Sequence, residues 1–167
     1  MAKLYTIRAS SGAGLGIFTT RPIPAGTVLQ TSKPILKLPR NKHDTSPTAL
    51  QTAFSRLPPE MQQTFLALHD NPALPYTSRL MRIYKSNCFG DEAHAWMWLD
   101  FSRCNHSCHP NAEIAEVEDE VGGAKLVAMR ALGVGEEVRI SYLGPLEDGP
   151  GLVRRRFLKE TYGFEWE

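Results

Sequence analysis

Glycine and proline divide this chain into short segments, which limits the folds open to it. The sequence holds 13 glycines and 12 prolines in 167 residues, and together they make up about 15% of the chain against an average of roughly 12%. This composition favours many turns and short strands over a helical bundle. A domain of this size buries roughly 68–70% of its unfolded surface, so its core needs neither a disulfide nor a metal.

Charge, hydropathy and cysteine content exclude several classes of protein. The 19 basic and 18 acidic side chains nearly cancel, which argues against strong nucleic-acid binding through bulk charge. No apolar run approaches the ~18 residues of a membrane span, and residues 1–20 lack the apolar segment of a signal peptide. An odd number of cysteines, 3, is typical of thiols in a reducing compartment. We therefore expect an intracellular protein, nuclear or cytoplasmic, that binds no membrane.

The first half of the chain changes from a strand pattern to a helical one. Residues 4–38 are predicted to form short strands separated by turns. Over residues 46–85 the apolar residues recur at helical spacing. Ser46 followed by Pro47 is typical of a helix N-cap with proline in the first turn. We therefore predict a helical segment inserted after the first strands.

The second half returns to strands and ends in a helix. Trp96 and Trp98 alternate with smaller apolar residues, as in a strand. Residues 112–131 flank a glycine turn and predict a hairpin. Residues 138–142 predict a strand whose alternate side chains, Tyr142 included, share one face. A final helix is predicted over residues 152–162.

The densest group of reactive side chains lies in residues 104–111 (CNHSCHPN). Structural zinc sites combine a closely spaced cysteine pair with a second pair of ligands elsewhere. Here three residues separate Cys104 from Cys108, and the sequence offers no second pair of cysteines and histidines. The spacing therefore does not favour a metal site. A cysteine nucleophile is also disfavoured, because no oxyanion-binding feature accompanies it.

Residues 12–16 (GAGLG) form a glycine-rich segment after the first predicted strand. Their spacing differs from the G-x-G-x-x-G of dinucleotide-binding folds, and no Gly-Lys-Ser/Thr of a P-loop follows. We predict a turn over residues 10–16. Two interpretations stay open, a plain tight turn and a close approach of the backbone to a ligand, which glycine permits.

Together these segments resemble the SET-domain family of the protein-lysine methyltransferase superfamily. Residues 11–24 (SGAGLGIFTTRPIP) resemble its N-terminal motif, and residues 102–111 (SRCNHSCHPN) resemble its most specific motif, SRxNHSCxPN. Residues 135–142 (GEEVRISY) match GEExxxxY, and residues 154–164 (RRRFLKETYGF) resemble the approach to the post-SET segment. The helical middle is similar to short fungal SET proteins and to SET/MYND-type enzymes.

The resemblance implies a β-rich α+β fold of short strands, with a pseudoknot in which the C-terminal segment threads a loop. It implies one SET domain over residues 1–167. Residues 1–39 and 86–147 would form the SET core, residues 40–85 a helical insert, and residues 148–167 a shortened post-SET-like segment with a C-terminal helix.

The same resemblance implies a protein-lysine N-methyltransferase that uses S-adenosylmethionine and acts on a protein substrate with a target lysine. Tyr142 matches the tyrosine beside the methyl-transfer axis and is the expected catalytic residue. By analogy the substrate channel would be lined by Phe89, Trp96 and Trp98. The residues expected to contact the cofactor are Ser11, Gly12, Ala13, Gly14, Asn87, Asn105, His106, Tyr142 and Phe164.

The sequence departs from the family pattern near its C-terminus. Post-SET segments of the family continue with a CxC motif that binds zinc together with the cysteine of NHSC, whereas Trp166 stands at the first of those cysteines here. We therefore expect no zinc at Cys108. An alternative function stays open: a degenerate SET scaffold without lysine methylation, whose pocket serves a small-molecule biosynthetic reaction, or which acts as a non-catalytic interaction module.

Overall fold

The computed structural model of the protein describes residues 3–39, 45–90, 93–117 and 122–164. Trp166, which the sequence analysis singled out, lies outside these described residues. Within them the chain forms strands, four α-helices and two short 3-10 helices, at Phe101–Arg103 and Gly144–Leu146. In chain order the strands and α-helices are β1 (Tyr5–Ser10), β2 (Gly14–Thr19), β3 (Val28–Ser32), β4 (Leu36–Pro39), α1 (Pro47–Ser55), α2 (Pro59–Leu66), α3 (Arg79–Asn87), β5 (Phe89–Gly90), β6 (His94–Met97), β7 (Asn105–His106), β8 (Ala112–Glu116), β9 (Ala124–Ala128), β10 (Glu137–Ile140) and α4 (Gly151–Tyr162).

The chain forms two compact units, and each joins segments that are distant in sequence. Met1–Lys33 and Arg103–Glu147 make up the first unit, while Pro34–Ser102 and Asp148–Glu167 make up the second. The predicted boundaries of core, insert and C-terminal segment stay a prediction.

The first unit contains two sheets. One has the strand order β1-β2-β10-β7, and the other has the order β3-β9-β8. In the first sheet β10 pairs antiparallel with β2 and parallel with β7. The predicted hairpin after residue 112 is confirmed as β8 and β9, which pair antiparallel. The buried side chains of Ile17, Leu126 and Val138 belong to the core of this unit.

The β1–β2 hairpin is longer than the sequence predicted. Its turn is confined to residues 11–13, and Gly14 already belongs to β2. Gly12 has φ 71° and Gly14 has φ 73°, a left-handed conformation that a Cβ disfavours. Gly16, predicted to lie in the turn, is instead paired with Arg8 inside the hairpin. These glycines therefore close a tight hairpin and leave β2 free to continue beside β10.

The second unit packs α1, α2 and α3 with a sheet of strand order β4-β6-β5. Its core includes the fully buried side chains of Leu50, Phe65 and Tyr84. The N-cap predicted for α1 is confirmed, because the Ser46 hydroxyl accepts a hydrogen bond from the Ala49 N–H at 3.4 Å. The Tyr84 hydroxyl donates to the Ala95 carbonyl at 3.3 Å, which satisfies the polar end of a buried ring.

Two side chains that follow α2 hold the C-terminal end of α4. Asn71 is buried, and its Nδ2 donates to the Thr161 carbonyl at 3.3 Å. Its Oδ1 accepts from the Ala73 N–H at 3.0 Å, and the His69 Nε2 lies 3.2 Å from the Tyr162 carbonyl. Carbonyls at a helix end have no partner within the helix, so these contacts satisfy them and fix where α4 ends.

The structure confirms the predicted class: a strand-rich α+β fold with helices between the strands and a helix near the C-terminus. The pseudoknot expected from the family resemblance stays a prediction. Over the described ranges, none of the helices has the length and apolar character required to cross a membrane.

We expect Asn71→Ala to destabilise the second unit by about 1–3 kcal/mol, because it removes two hydrogen bonds made by a buried side chain. Urea denaturation followed by circular dichroism measures this change. Gln63→Ala, an exposed helical site on α2, is the matched control, with an expected effect within about 0.5 kcal/mol. Equal unfolding midpoints for the two variants would contradict the assignment.

Candidate functional site

β7 fixes the NHSC motif against β10. Asn105 is in register with Arg139, and His106 is in register with Ile140, in a parallel pairing. The Ser107 N–H continues the ladder by donating to the Ile140 carbonyl at 2.9 Å. The motif is therefore part of the sheet, and its side chains have defined positions.

Asn111, the last residue of the longer SRxNHSCxPN motif, is a structural residue. Its Oδ1 accepts from the Arg139 N–H at 2.8 Å, and its Nδ2 donates to the Glu137 carbonyl at 2.8 Å. It also donates to the Glu136 carboxylate at 3.1 Å. This amide replaces the backbone partners that the short β7 cannot supply. Asn111 was assigned no role from the sequence, although its place at the end of SRxNHSCxPN was the available signal.

His106 links the motif to the segment after β10. The ring is buried, and its Nδ1 accepts a hydrogen bond from the Tyr142 backbone N–H at 3.1 Å. This contact requires an unprotonated Nδ1, so the neutral ring carries its proton on Nε2. Nε2 lies 3.3 Å from the Cys108 sulfur. His106 thus links Cys108 of the same motif to the backbone of Tyr142.

Tyr142 lies beyond the end of β10, so the prediction that the strand continues to this residue is wrong. β10 ends at Ile140, because the Tyr142 N–H bonds to the His106 side chain instead of a neighbouring strand. The Tyr142 hydroxyl donates to the Cys104 carbonyl at 2.5 Å. Its ring centroid lies 5.4 Å from that of His106. The half-buried phenol is therefore held at both its backbone and its hydroxyl.

Asn105 reaches across the sheet to β2. Its Nδ2 donates to the Glu137 Oε1 at 2.7 Å and to the Leu15 carbonyl at 3.3 Å. Both partners can only accept hydrogen bonds, so the NH₂ group of the amide must face them. Any hydrogen bond that Oδ1 makes to a ligand is as an acceptor.

Glu137 is ionised beside Asn105. Its Oε2 accepts from the Arg139 Nε at 2.8 Å. Burial raises the pKa of Glu137, but hydrogen bonding from Asn105, Ser10 and Arg139, together with the positive charge of Arg139, outweighs burial, so the pKa lies below its ordinary value. The carboxylate therefore carries its charge at neutral pH. Neither glutamate of the GEE motif was assigned a role from the sequence.

The three glycines of the GAGLG segment serve two purposes. A Cβ on Gly12 or Gly14 would meet no atom within 4 Å, and their need for glycine comes from the backbone conformation. A Cβ on Gly16 would lie 2.4 Å from the Glu137 Oε1 and 3.0 Å from the Asn105 Nδ2. Gly16 thus leaves the space in which Glu137 and Asn105 meet. Ser11, Gly12 and Ala13 are exposed in the hairpin turn.

The remaining predicted cofactor residues lie in the second unit. Asn87 is buried, and its Nδ2 donates to the His69 carbonyl at 2.8 Å and to the Ile83 carbonyl at 2.7 Å. These bonds secure the end of α3. The Phe164 ring lies 6.2 Å from the Tyr162 ring, just after α4.

The predicted channel residues form an aromatic stack in the second unit. The Trp96 and Trp98 rings are stacked with centroids 6.1 Å apart, and Phe89 lies 5.6 Å from Trp98. β6 ends at Met97, so the strand predicted to include Trp98 stops before that residue. Trp98 turns into the core and lies 5.9 Å from Phe101. The three rings do lie together, and their role as a channel stays a prediction.

No metal site is evident in the part of the chain that the structure describes: it holds no group of three or more histidine, cysteine or acidic side chains that could bind one. Cys88, Cys104 and Cys108 are thiols. The expectation that Cys108 binds no zinc stays a prediction.

Comparison with known proteins identifies the family of this chain. A model of the SET domain matches residues 14–143, which is most of the chain and includes every site residue described in the first unit except the hairpin turn. The chain therefore belongs to the SET-domain family.

Several methyltransferases are similar to the chain. The histone-lysine N-methyltransferase SET5 of Meyerozyma guilliermondii is 30% identical over 103 residues, 61% of this chain and 20% of that protein. The histone-lysine N-methyltransferase set5 of Schizosaccharomyces pombe is 26% identical over 166 residues, 98% of this chain and 49% of that protein. The protein-lysine N-trimethyltransferase SMYD5 of Danio rerio is 39% identical over 79 residues, 47% of this chain and 18% of that protein. The chain thus spans half or less of the length of these relatives.

We expect Glu137→Gln to flatten the acid side of the stability profile. A lowered folded-state pKa means that the unfolded chain binds more protons, so the free energy of unfolding falls as pH drops below the ordinary glutamate value of 4.5 and through the folded-state pKa. Urea denaturation at several pH values between about 6 and 3 measures the slope. Glu113→Gln, at an exposed position of β8, controls for the loss of one carboxylate. A slope equal to that of the wild type would count against the ionised Glu137.

Proposed function

We propose that this protein is a protein-lysine N-methyltransferase that uses S-adenosylmethionine. The observation that carries the proposal is the arrangement of Tyr142, whose hydroxyl is bonded to the Cys104 carbonyl and whose backbone is bonded to His106. It occurs in a SET-domain chain, and relatives of this chain are named lysine methyltransferases.

The chemistry of Asn105 fits the amino-acid part of the cofactor. S-adenosylmethionine carries a primary ammonium group, which only donates hydrogen bonds. Asn105 has its NH₂ group bonded to Glu137 and Leu15, so it meets a ligand as an acceptor through Oδ1. The nearby Glu137 carboxylate adds a negative charge that favours an ammonium. We therefore place Asn105 at the ammonium end of the cofactor.

The free space around the hairpin turn supports the same proposal. Gly12 and Gly14 leave space around the backbone of residues 11–13, and Asn105 bonds to Leu15, which follows that turn. We propose that Ser11 and Ala13 offer backbone groups to the cofactor. The cofactor contacts predicted for Asn87 and Phe164, and the channel predicted from Phe89, Trp96 and Trp98, stay predictions.

When bound, the cofactor supplies a methyl group activated by a sulfonium. The lysine nitrogen would take this methyl group, with the S–C bond broken as the N–C bond forms, and the amine proton would leave to solvent. Lysine must first be neutral, although its ordinary pKa is ~10.4; exclusion of water and nearby positive charge both lower that pKa.

Tyr142 is the residue that we assign to alignment of the reacting atoms. Its hydroxyl donates its hydrogen bond to the Cys104 carbonyl, so toward a substrate the phenolic oxygen acts as an acceptor. An acceptor oxygen orients the N–H of an amine and makes weak C–H···O contacts with a polarised methyl group. Such contacts strengthen in the transition state, where alignment and dehydration lower the barrier.

Histone lysines are the first substrates to test, because the SET5 relatives are named histone-lysine methyltransferases. We expect transfer of labelled methyl groups from S-adenosylmethionine to histones or to other lysine-containing proteins. An absence of transfer to any protein, together with no cofactor binding by calorimetry, would overturn the proposal. That result would favour the degenerate scaffold with a repurposed pocket.

We expect Tyr142→Phe to lower kcat by about 10- to 100-fold, the equivalent of a hydrogen bond of about 1.5–3 kcal/mol to a charged group. The affinity for S-adenosylmethionine should stay within about twofold of wild type, because the hydroxyl acts mainly in the transition state. Tyr76→Phe in the second unit is the matched control. A Tyr142→Phe variant with the turnover of wild type would remove Tyr142 from the reaction.

Asn105→Ala should have the opposite profile. We expect weaker cofactor binding by about 1–3 kcal/mol, because the acceptor assigned to the ammonium group is lost. Isothermal titration calorimetry measures the change directly. An unchanged affinity would show that Asn105 does not contact the cofactor.

A further inference from the structure

The two glutamates of the GEE motif have different partners, although they are neighbours in sequence. Glu136 accepts from the Gly133 N–H at 2.8 Å and forms an ion pair with Arg130, so it secures the turn before β10. Glu137 instead turns to Asn105 and Arg139. The side chain of Glu137 is only 9% exposed, and a buried carboxylate is costly unless its partners are well placed.

Each carboxylate oxygen of Glu137 has its own partner. Arg139 occupies Oε2, and Asn105 occupies Oε1. Because Arg139 can only donate, it holds the carboxylate in one orientation and leaves Oε1 as an acceptor facing β7. The Asn105 NH₂ group must therefore point at Glu137, and its Oδ1 points the other way.

The space for this contact exists only because residue 16 is glycine. A Cβ at that position would approach the Glu137 Oε1 to 2.4 Å, a distance that forces the carboxylate to move. Unlike Gly12 and Gly14, Gly16 does not have a positive φ. Backbone conformation therefore does not explain why residue 16 is glycine. The third glycine of GAGLG, Gly16, thus makes room for the side chain of Glu137, which lies far along the chain.

We propose that Glu137, held by Arg139 and given room by Gly16, is the positioning residue that fixes the amide of Asn105 with its oxygen toward the ammonium group of the cofactor. This inference rests on the proposed function and deepens it. Glu137 acts through Asn105, because it sets which end of the amide the ligand meets. The amide oxygen then favours a ligand group that donates a hydrogen bond over one that accepts it.

Glu137→Gln tests this directly. The arginine holds the new amide by its oxygen, so the Gln NH₂ group faces Asn105 and repels its NH₂ group. Residue 137 then presents a donor while the Leu15 carbonyl still presents an acceptor. No single orientation of the Asn105 amide satisfies both, and its Oδ1 is drawn toward residue 137 and away from the ammonium. We expect the Kd for S-adenosylmethionine to rise about tenfold or more by calorimetry, while circular dichroism shows a folded protein.

A polarity swap separates positioning from general damage. In the double variant Glu137→Gln with Asn105→Asp, the carboxylate lies at residue 105, accepts from the Gln NH₂ group and again presents an acceptor to the ligand. We expect the double variant to bind S-adenosylmethionine more tightly than the single Glu137→Gln variant. A double variant that binds no better than the single one, or a folded single variant with wild-type affinity, overturns the proposal.

Two further variants complete the design. Gly16→Ala should weaken cofactor binding in the same direction, because the added methyl displaces the Glu137 carboxylate. Glu136→Gln is the matched control on the adjacent residue, with an expected Kd within about twofold of wild type. An equal loss of affinity in Glu136→Gln and Glu137→Gln would assign both residues to stability alone.

A spectroscopic measurement keeps this proposal apart from the proposed function. The side-chain ¹⁵N–¹H signals of Asn105, assigned by their loss in Asn105→Ala, should shift in cofactor-free Glu137→Gln and stay in place in Glu136→Gln. Unshifted signals overturn the positioning of Asn105 by Glu137. If the Asn105 signals shift in Glu137→Gln but the wild-type protein binds no S-adenosylmethionine, the proposed function and the ligand assigned here are overturned, and the positioning of Asn105 by Glu137 is still supported.

Discussion

The parallel pairing of β7 with β10 is the interaction on which the site depends. β10 is bonded to β2 on one side and to β7 on the other, so one short strand fixes the positions of segments that lie far apart in the chain. A two-residue parallel pairing is weak by itself. Asn111 compensates by forming two hydrogen bonds with the backbone of β10. Beyond the end of the ladder, the His106 ring accepts a hydrogen bond from the Tyr142 N–H.

The polar side chains of the site gain their geometry from one another. Glu137 is nearly buried, and burial of a carboxylate is tolerated because Arg139 and Asn105 donate to it. The same contacts leave each partner with a defined polarity: the Asn105 amide faces its acceptors, and the Tyr142 hydroxyl faces the Cys104 carbonyl. Preorganised polar groups of this kind favour binding and catalysis, since they need little rearrangement when a ligand arrives.

Local patterns predicted much of the fold. The Ser46–Pro47 cap, the hairpin after residue 112 and the helix near the C-terminus all follow from short-range preferences, and all three are present. The errors lie where a partner on another segment decides the local conformation. The turn predicted to include Gly16 is shorter because Gly14, Leu15 and Gly16 pair with β1. The strand predicted to reach Tyr142 stops at Ile140 because the His106 side chain accepts from the Tyr142 N–H.

The family, the order of the main elements and the residues of the NHSC and GEE motifs could be predicted from the sequence alone, because they depend on local composition and on motif spacing. The meeting of Gly16, Asn105 and Glu137 at one point, and the bond of Asn111 to the backbone of β10, became visible only in the folded structure. The physical reason is that hydrogen-bond polarity and the room for one Cβ depend on atoms brought together from separate strands, and no pattern along the chain records those distances.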